Sequence, residues 1–308
     1  LVFYEILNIG MFYIRLDGSP NYAMMCNATA AILNILLNYI FIFEFGWGMM
    51  GAAFATSLGT VVGGLMTLVY LMHYSHDLRL YRIKLSRKSL RMTFRNIGYM
   101  VKLGNSAFVS EASIACMMFL GNYVFIRNLG EDGVAAFSIV CYFFPIIFMV
   151  YNAIAQSAQP IISYNFGAGQ PERIRKALRL SLRTALICGI CFFILTTLCC
   201  RNIVALFIDR SYSAFDIAVN GIPYFGIGFI FFAINMIGIG YYQSIERGQR
   251  ATIITLLRGV VFMLIGFFVL PPILGVPGIW LAVPSAELLT TLYIIGIYFK
   301  DRFIVRRR

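Results

Sequence analysis

The sequence predicts an all-α, polytopic membrane protein whose helices form two pseudo-symmetric bundles. Three observations lead to this fold class: a composition too apolar for water, apolar runs of membrane-spanning length, and basic residues confined to alternate linkers. Of the 308 residues, 60% are hydrophobic and 12% are charged, and the mean hydropathy is +0.81. A water-soluble protein keeps about a quarter of its residues charged, so this chain has too few charges to cover a surface in water.

The hydrophobic runs define the spans. Each run has about 20 residues, enough to cross a ~30 Å hydrocarbon core, and within a bilayer a helix satisfies its own backbone hydrogen bonds. Because the chain starts inside an apolar segment without a methionine, we expect that it is N-terminally truncated and that residues 1–14 are part of a span. Eight complete spans are predicted to follow, at about 22–43, 50–72, 103–127, 134–160, 182–200, 217–242, 251–272 and 278–299.

Basic residues occur in every second linker. All but three of the 25 lysines and arginines lie on one side of the predicted spans, and the exceptions are Arg127, Arg201 and Arg210. This distribution follows the positive-inside rule, so we expect a multi-pass protein of the bacterial cytoplasmic (inner) membrane with its C-terminus in the cytoplasm. The net charge of +12 then reflects topology, and we expect no nucleic-acid partner.

The longest basic linker divides the chain. Residues 76–101 combine many arginines and lysines with interleaved apolar residues, which is typical of an amphipathic segment on anionic headgroups. We predict the remainder of an N-terminal lobe at 1–75, a cytoplasmic amphipathic connector at 76–101 and a C-terminal six-helix lobe at 102–308. Turns with glycines at similar spacing, 18 to 51 and 248 to 278, indicate duplicated halves, which are common in secondary transporters.

Two acids lie inside the predicted spans. Glu111 belongs to a stripe of polar and small residues at helical spacing, and a charge at mid-membrane depth costs about 2.5–3.5 kcal/mol on insertion scales. A proton carrier needs such an acid, although a structural bond to a neighbouring helix would also explain it. Glu287 follows Pro284 and precedes Thr290 and Thr291; we interpret it as a polar knot that shapes its helix and keep it as a candidate cavity residue.

Amide and tyrosine side chains mark a candidate substrate cavity. Tyr142, Asn152 and Gln156 share one face of the predicted span 134–160, and a line of amides facing lipid would leave polar groups without partners. We therefore predict that this face points inward. The predicted cavity residues are Asn122, Tyr142, Asn152, Gln156 and Glu287.

Motifs of enzymes and metal sites are missing from the sequence. Cys188 and Cys191 form a single CxxC without a second pair or a nearby histidine, and no nucleophile–base or phosphate-binding motif occurs. We expect neither an enzyme nor a bound cofactor; the only ion is a transported H⁺ or Na⁺.

Two motifs carry a family resemblance. Residues 159–168 read Gln-Pro-Ile-Ile-Ser-Tyr-Asn-Phe-Gly-Ala before a basic turn, and residues 15–20 read Arg-Leu-Asp-Gly-Ser-Pro. Over essentially its whole length the chain resembles the multidrug and toxic compound extrusion (MATE) transporters, and in particular the bacterial efflux branch. The resemblance implies a twelve-helix MATE-type fold that here lacks about the first three and a half helices.

The resemblance also implies a coupling site. Family members often place an acid on the seventh helix, where Glu111 occurs about one turn nearer the cytoplasmic start, and some place one on the tenth helix, where Asn235 occurs. Family members often carry Asn-x-x-x-Asp in the fifth helix; Asn34 matches the asparagine of this pattern, but the acid position is occupied by Asn38, which cannot titrate. The candidate coupling residues are Glu111, Asn235, Asn34 and Asn38.

The predicted function is secondary active efflux of organic cations or drugs by proton or sodium antiport, with alternating access. The expected partners are small-molecule organic cations and membrane lipids, and we expect a monomer. A lipid-linked saccharide flippase is an alternative. A flippase cavity usually needs cationic groups within the membrane to bind pyrophosphate, and only Arg258 approaches that depth, which disfavours this alternative. A further alternative is an inactive remnant of a truncated gene.

Overall fold

The computed structural model describes residues 1–75 and 86–306, the side chains of residues 103 and 301–306 excepted. All secondary structure in these ranges is helical. The α-helices are α1 (Val2–Leu16), α2 (Pro20–Tyr39), α3 (Gly48–Val69), α4 (Arg87–Gly167), α5 (Pro171–Leu198), α6 (Cys200–Ala205), α7 (Ser213–Gly226), α8 (Gly228–Ser244), α9 (Gly248–Leu256), α10 (Phe262–Leu274) and α11 (Val276–Arg306). π-helical turns follow α2 (Ile40–Glu44) and α3 (Tyr70–Tyr74) and join α9 to α10 (Leu257–Val261).

The helices reproduce the predicted spans. Among the described residues, six stretches are long and apolar enough to cross a membrane, and α7 and α8, which meet at a 42° bend, make a seventh. The six are Pro20–Glu44, Gly48–Tyr74, Gly104–Gly167, Pro171–Leu198, Gly248–Leu274 and Val276–Lys300. The 64-residue stretch is broken at Gly130, so each of its two arms corresponds to one predicted span. The all-α, polytopic fold class is confirmed.

The break in α4 depends on one glycine. Gly130 has φ 67° and ψ −156°, a region that side chains with a Cβ rarely adopt. The chain therefore leaves the helix at this residue and re-enters a helix immediately afterwards. We call 87–129 the first arm of α4 and 131–167 its second arm.

Helix α5 begins eleven residues before the predicted span at 182. Pro171 occupies its first turn, where a missing backbone N–H costs nothing. The additional turns carry several arginines and a lysine, so a hydropathy pattern does not detect them, although their backbone continues the same helix.

The chain divides into two compact units, Leu1–Leu90 and Arg91–Arg308. The division falls inside the predicted connector 76–101. Residues 76–85 of that connector lie outside the described residues, and the part from Arg87 onward is the start of α4. The three-part domain division stays a prediction.

In the first unit, small residues of α3 allow close packing of α1 and α2. Gly59 and Gly64 are buried on α3. A Cβ on Gly59 would lie 2.7 Å from the Ala30 carbonyl oxygen, and one on Gly64 would lie 2.8 Å from that of Phe3. Backbones that approach this closely are held by van der Waals packing, as is usual between membrane helices.

In the second unit, aromatic rings form the core. Phe125 stacks on Phe137 with centroids 4.6 Å apart and meets the Trp280 ring edge-on at 4.8 Å. Phe144 of the second arm of α4 stacks on Phe232 of α8 at 5.2 Å. Each such pair contributes about 0.5–1.5 kcal/mol beyond its buried area, and together they fix α4, α8 and α11 around a shared centre.

Candidate functional site

A buried polar cluster lies in the second unit. It consists of Ser113 on the first arm of α4, Asn235 on α8, Arg258 on the π-helical turn, and Glu287 and Thr291 on α11. None of the five side chains is more than 4% exposed. Because they come from four segments of an otherwise apolar bundle, their polar atoms must satisfy one another.

Hydrogen-bond donors surround the Glu287 carboxyl group. Asn235 Nδ2 donates to Glu287 Oε2 over 2.6 Å and to the Glu287 carbonyl oxygen over 2.8 Å. Thr291 Oγ1 donates to Asn235 Oδ1 over 2.9 Å, which fixes the orientation of that amide. Arg258 Nη1 lies 3.5 Å from Glu287 Oε1 and forms an ion pair. Two groups with positive hydrogens therefore point at one carboxylate.

Arg258 reaches this position from the π-helical turn Leu257–Val261. Such turns are frequent at functional sites, because the extra residue changes the direction of the side chains around it. The guanidinium carbon lies 4.7 Å from the centre of the Phe232 ring, and Nη2 donates to Ser113 Oγ over 3.1 Å. Among the described residues no acceptor reaches Arg258 Nε. The guanidinium is thus held on several sides but not fully satisfied.

Glycines bring the surrounding helices close enough for these contacts. A Cβ on Gly259, next to Arg258, would overlap the Ser113 side chain. A Cβ on Gly266 would lie 2.6 Å from the Ala282 carbonyl oxygen, so α10 and α11 also approach closely. The cluster therefore depends on a small residue beside Arg258 and on a second close helix approach about two turns further along the chain.

The attraction between Arg258 and Glu287 does not fully offset the cost of burying both charges. At 3.5 Å and an effective dielectric constant of about 20, two opposite charges attract by about 5 kcal/mol. Removing each ion from water costs several kcal/mol, and strong charge-assisted bonds are shorter, about 2.7–2.9 Å. Because ionisable groups inside membrane bundles often mark proton or substrate pathways, the pair is the best candidate for a coupling element.

The structure does not bring Glu111 to Asn235. Glu111 is exposed, whereas Ser113, two residues later, faces the polar cluster. Two residues correspond to a rotation of about 200° around a helix with 3.6 residues per turn, so Glu111 points away from the cluster. Asn235 pairs with Glu287 instead. The coupling role of Glu111 stays a prediction.

The predicted cavity residues of α4 lie away from the core of the second unit. Asn122, Asn152 and Gln156 are half-buried, and Tyr142 is 68% exposed. The Tyr142 ring stacks on Phe207 with centroids 5.9 Å apart and an angle of 9° between planes. Glu287, the fifth predicted cavity residue, is enclosed in the polar cluster and does not share this face. The cavity role of all five stays a prediction.

Asn34 and Asn38 are brought together in the first unit. Asn38 Nδ2 donates to Asn34 Oδ1 over 3.0 Å, and Asn34 Nδ2 donates to Thr56 Oγ1 over 2.9 Å. Within the described part of the chain, Asn38 Oδ1 has no hydrogen-bond donor. Their role in coupling stays a prediction.

A second polar chain was not anticipated from the sequence. Gln159 Nε2 donates to Gln243 Oε1 over 2.7 Å, and Gln243 Nε2 donates to Ser106 Oγ over 2.8 Å. This chain joins both arms of α4 to α8. In the sequence, the residues of this chain and Arg258 are recognisable only as polar side chains within or beside apolar runs. Such a signal does not reveal which residues they contact.

Comparison with known proteins identifies similar sequences. A family model described as MatE matches residues 106–276. The multidrug export protein MepA of Staphylococcus aureus (strain bovine RF122 / ET3-1) is 25% identical over 304 residues, covering 95% of this chain and 63% of its own length. MepA of Staphylococcus saprophyticus is 25% identical over 301 residues with the same coverage. The chain thus spans less than two thirds of the length of these relatives.

Solved structures show the same fold. An outward-facing multidrug resistance MATE family transporter of the MOP superfamily superposes with a TM-score of 0.86 at 21% identity, covering 98% of this chain and 67% of its own. A MOP superfamily transporter from Pyrococcus furiosus gives a TM-score of 0.85 at 21% identity, with the same coverage. At this identity the likeness concerns the fold alone.

Proposed function

The chain belongs to the MatE family, and we propose that it forms the larger part of a secondary active transporter that expels organic cations in exchange for protons. Members of this family are transporters and not enzymes. The chain's curated relatives are multidrug export proteins. The observation that carries the proposal is the ion pair of Arg258 and Glu287, buried in the second unit.

Protonation of Glu287 would change the balance of charge in the cluster. With the carboxylate ionised, the pair is neutral overall; with the carboxyl protonated, the charge of Arg258 is left in an apolar bundle without a counter-charge. The attraction that is lost is about 5 kcal/mol, close to the ~5.5 kcal/mol that shifts a two-state equilibrium from 1:99 to 99:1. A conformation that hydrates Arg258 would then be favoured, which is how a proton can drive alternating access.

A proton fits this site better than a sodium ion. Na⁺ binding at the carboxylate would require displacement of both the Arg258 guanidinium and the Asn235 amide N–H groups, which already present positive hydrogens to Glu287. A proton needs no such displacement, because it adds to the carboxylate itself. We therefore propose proton antiport, and sodium coupling is the contrary outcome of the test below.

The exported cation is proposed to pass along the second arm of α4. The half-buried amides of Asn152 and Gln156 lie on the surface of the second unit, where lipid cannot hydrogen-bond to them. The exposed Tyr142 ring adds an aromatic face, which attracts cations. The second arm thus presents both amide and aromatic groups, which a lipophilic cation needs, and Asn122 is likewise half-buried on the first arm.

The flippase alternative is disfavoured by the state of Arg258. A lipid-linked pyrophosphate would need an available cation at membrane depth, but Arg258 is 3% exposed and paired with Glu287. We further propose that the protein is a monomer of the bacterial inner membrane. Its C-terminus is proposed to be cytoplasmic because the last residues carry a cluster of arginines.

The test uses the longest reading frame that contains the chain, because the curated relatives are longer. The protein is reconstituted in liposomes, and movement of a fluorescent lipophilic cation is followed under an imposed pH gradient or an imposed sodium gradient. We expect transport under the pH gradient alone. Transport under the sodium gradient alone would contradict proton antiport, and no transport under either would favour the flippase or the inactive remnant.

A further inference from the structure

An apolar groove opens between α5, α8 and α11 of the second unit. Its volume is about 540 Å³, within the range of about 300–1,000 Å³ that is usual for small-molecule sites. One end is lined by cationic and aromatic side chains, among them Arg179, Arg183 and Tyr298; the other is lined by aliphatic ones, among them Leu186, Ile234 and Ile294.

The lining of the groove changes from cationic to apolar along α5. Arg175, Arg179 and Arg183 follow one another at four-residue steps, so they lie on one face of the helix and extend over about 12 Å at 1.5 Å per residue. Leu182 and Leu186 continue the same face toward the far end. The distribution of basic residues assigns the start of α5 to the cytoplasmic side. The groove therefore runs from the level of the lipid headgroups into the hydrocarbon layer.

Among the described residues, only one of the three arginines is paired with an acid. Arg175 Nη1 pairs with Glu172 Oε1 over 2.8 Å. In the part of the chain that the structure describes, no carboxylate forms an ion pair with Arg179 or Arg183, and both are exposed. Two uncompensated cations beside an apolar crevice are complementary to an anion that carries a hydrocarbon chain.

We propose that this groove binds one anionic phospholipid of the cytoplasmic leaflet. Its phosphate lies between Arg179 and Arg183, and an acyl chain extends along Leu186 and Ile294. Basic pockets between membrane helices on the cytoplasmic side commonly bind anionic headgroups. The exported organic cation is a poor occupant, because the arginines repel it.

The first experiment measures lipid binding by native mass spectrometry, using the purified protein encoded by the longest reading frame that contains the chain and, as probes, dioleoyl phosphatidylglycerol and dioleoyl phosphatidylcholine. We expect preferential retention of phosphatidylglycerol. The double substitution Arg179→Gln/Arg183→Gln should weaken this binding about 30-fold, since each surface arginine contributes about a fivefold factor. The matched control Arg173→Gln/Lys176→Gln removes the same charge from exposed positions outside the groove and should change the affinity less than twofold.

A second variant tests the apolar part of the groove. Ile295 lines the groove and is 42% exposed, so Ile295→Trp fills the crevice without opening the core and should weaken phosphatidylglycerol binding at least tenfold. Thermal melting in detergent checks that each variant remains folded. If the two charge variants weaken lipid binding equally, the lipid is attracted by general surface charge and not by this groove. An unchanged affinity of Ile295→Trp for phosphatidylglycerol would exclude the acyl-chain contact.

Two competition measurements distinguish a phospholipid from other possible occupants of the groove. Glycerol 3-phosphate should not compete with phosphatidylglycerol, because it lacks acyl chains; equal competition would identify a site for free phosphate esters. A lipophilic cation should not displace the lipid. Displacement by the cation, with tighter cation binding to Arg179→Gln/Arg183→Gln, would overturn the proposal in favour of a cation site.

Discussion

Removal of the Glu287 charge should destabilise the second unit strongly, and more than removal of the Arg258 charge. Glu287→Gln keeps the size of the side chain and an oxygen that accepts from Asn235, but it leaves Arg258 at 3% exposure without a counter-charge. The structure places the paired atoms 3.5 Å apart, an attraction of about 5 kcal/mol at an effective dielectric constant of about 20. Breaking a buried pair in this way costs about 3–5 kcal/mol, which we expect for Glu287→Gln.

The reverse substitution should cost less. Arg258→Met leaves Glu287 buried, but a carboxyl group can take up a proton and become neutral, whereas a guanidinium cannot lose one. The double variant Glu287→Gln/Arg258→Met removes both charges and should be close to wild type, because apolar replacement of a whole buried pair is often neutral.

The assay is the free energy of unfolding of all four proteins in mixed micelles of a mild detergent and sodium dodecyl sulfate. The double-mutant cycle should give a coupling energy of at least ~2 kcal/mol between the two positions. A loss below ~1 kcal/mol for Glu287→Gln together with a coupling energy near zero would refute the reasoning, since the ion pair could not then be formed in the membrane bundle.

Three further predictions concern other parts of the second unit. Gly259→Ala should cost about 1–3 kcal/mol in the same unfolding assay, because its Cβ overlaps a side chain of α4; Gly296→Ala, whose Cβ meets no atom within 4 Å, should be neutral or slightly stabilising. The backbone N–H and the hydroxyl of Ser211 hold the pKa of Asp209 below its usual value, so their contribution to the stability of this loop is complete above pH ~4 and is lost as the pH falls through the lower folded pKa. A carboxyl carbon NMR titration should show this low pKa, and Ser211→Ala should raise it; an unchanged titration would contradict the hydrogen bonds. Gln243→Leu removes two hydrogen bonds between helices and should cost about 0.6–1.7 kcal/mol per bond; unfolding at the wild-type midpoint would contradict the polar chain.

The spans could be predicted from the sequence because the bilayer imposes a length and a polarity on each of them. The bend between α7 and α8 and the break at Gly130 did not alter their number. The hydrogen bond between Asn38 and Asn34 also follows from the sequence, since residues four apart on a helix are neighbours. In these cases the controlling physics is local or is set by the membrane.

The composition of the polar cluster could not be predicted in the same way. Asn235, Arg258 and Glu287 are far apart in sequence, and no pattern in the sequence connects one with another. Periodicity shows that Glu111 shares a stripe with other polar and small residues, but it does not show which side of the helix is buried. The π-helical turn Leu257–Val261 also changes the direction of Arg258, and a period of 3.6 residues does not anticipate it.

The most direct measurement of the central claim is proton movement coupled to export. The protein encoded by the longest reading frame containing the chain is placed in liposomes that hold a pH-sensitive dye, and the luminal pH is recorded when a transported cation is added. We predict a pH change in wild type, its loss in Glu287→Gln, and its persistence in Glu111→Gln. A pH change that persists in Glu287→Gln and disappears in Glu111→Gln would contradict the account and assign the coupling to Glu111.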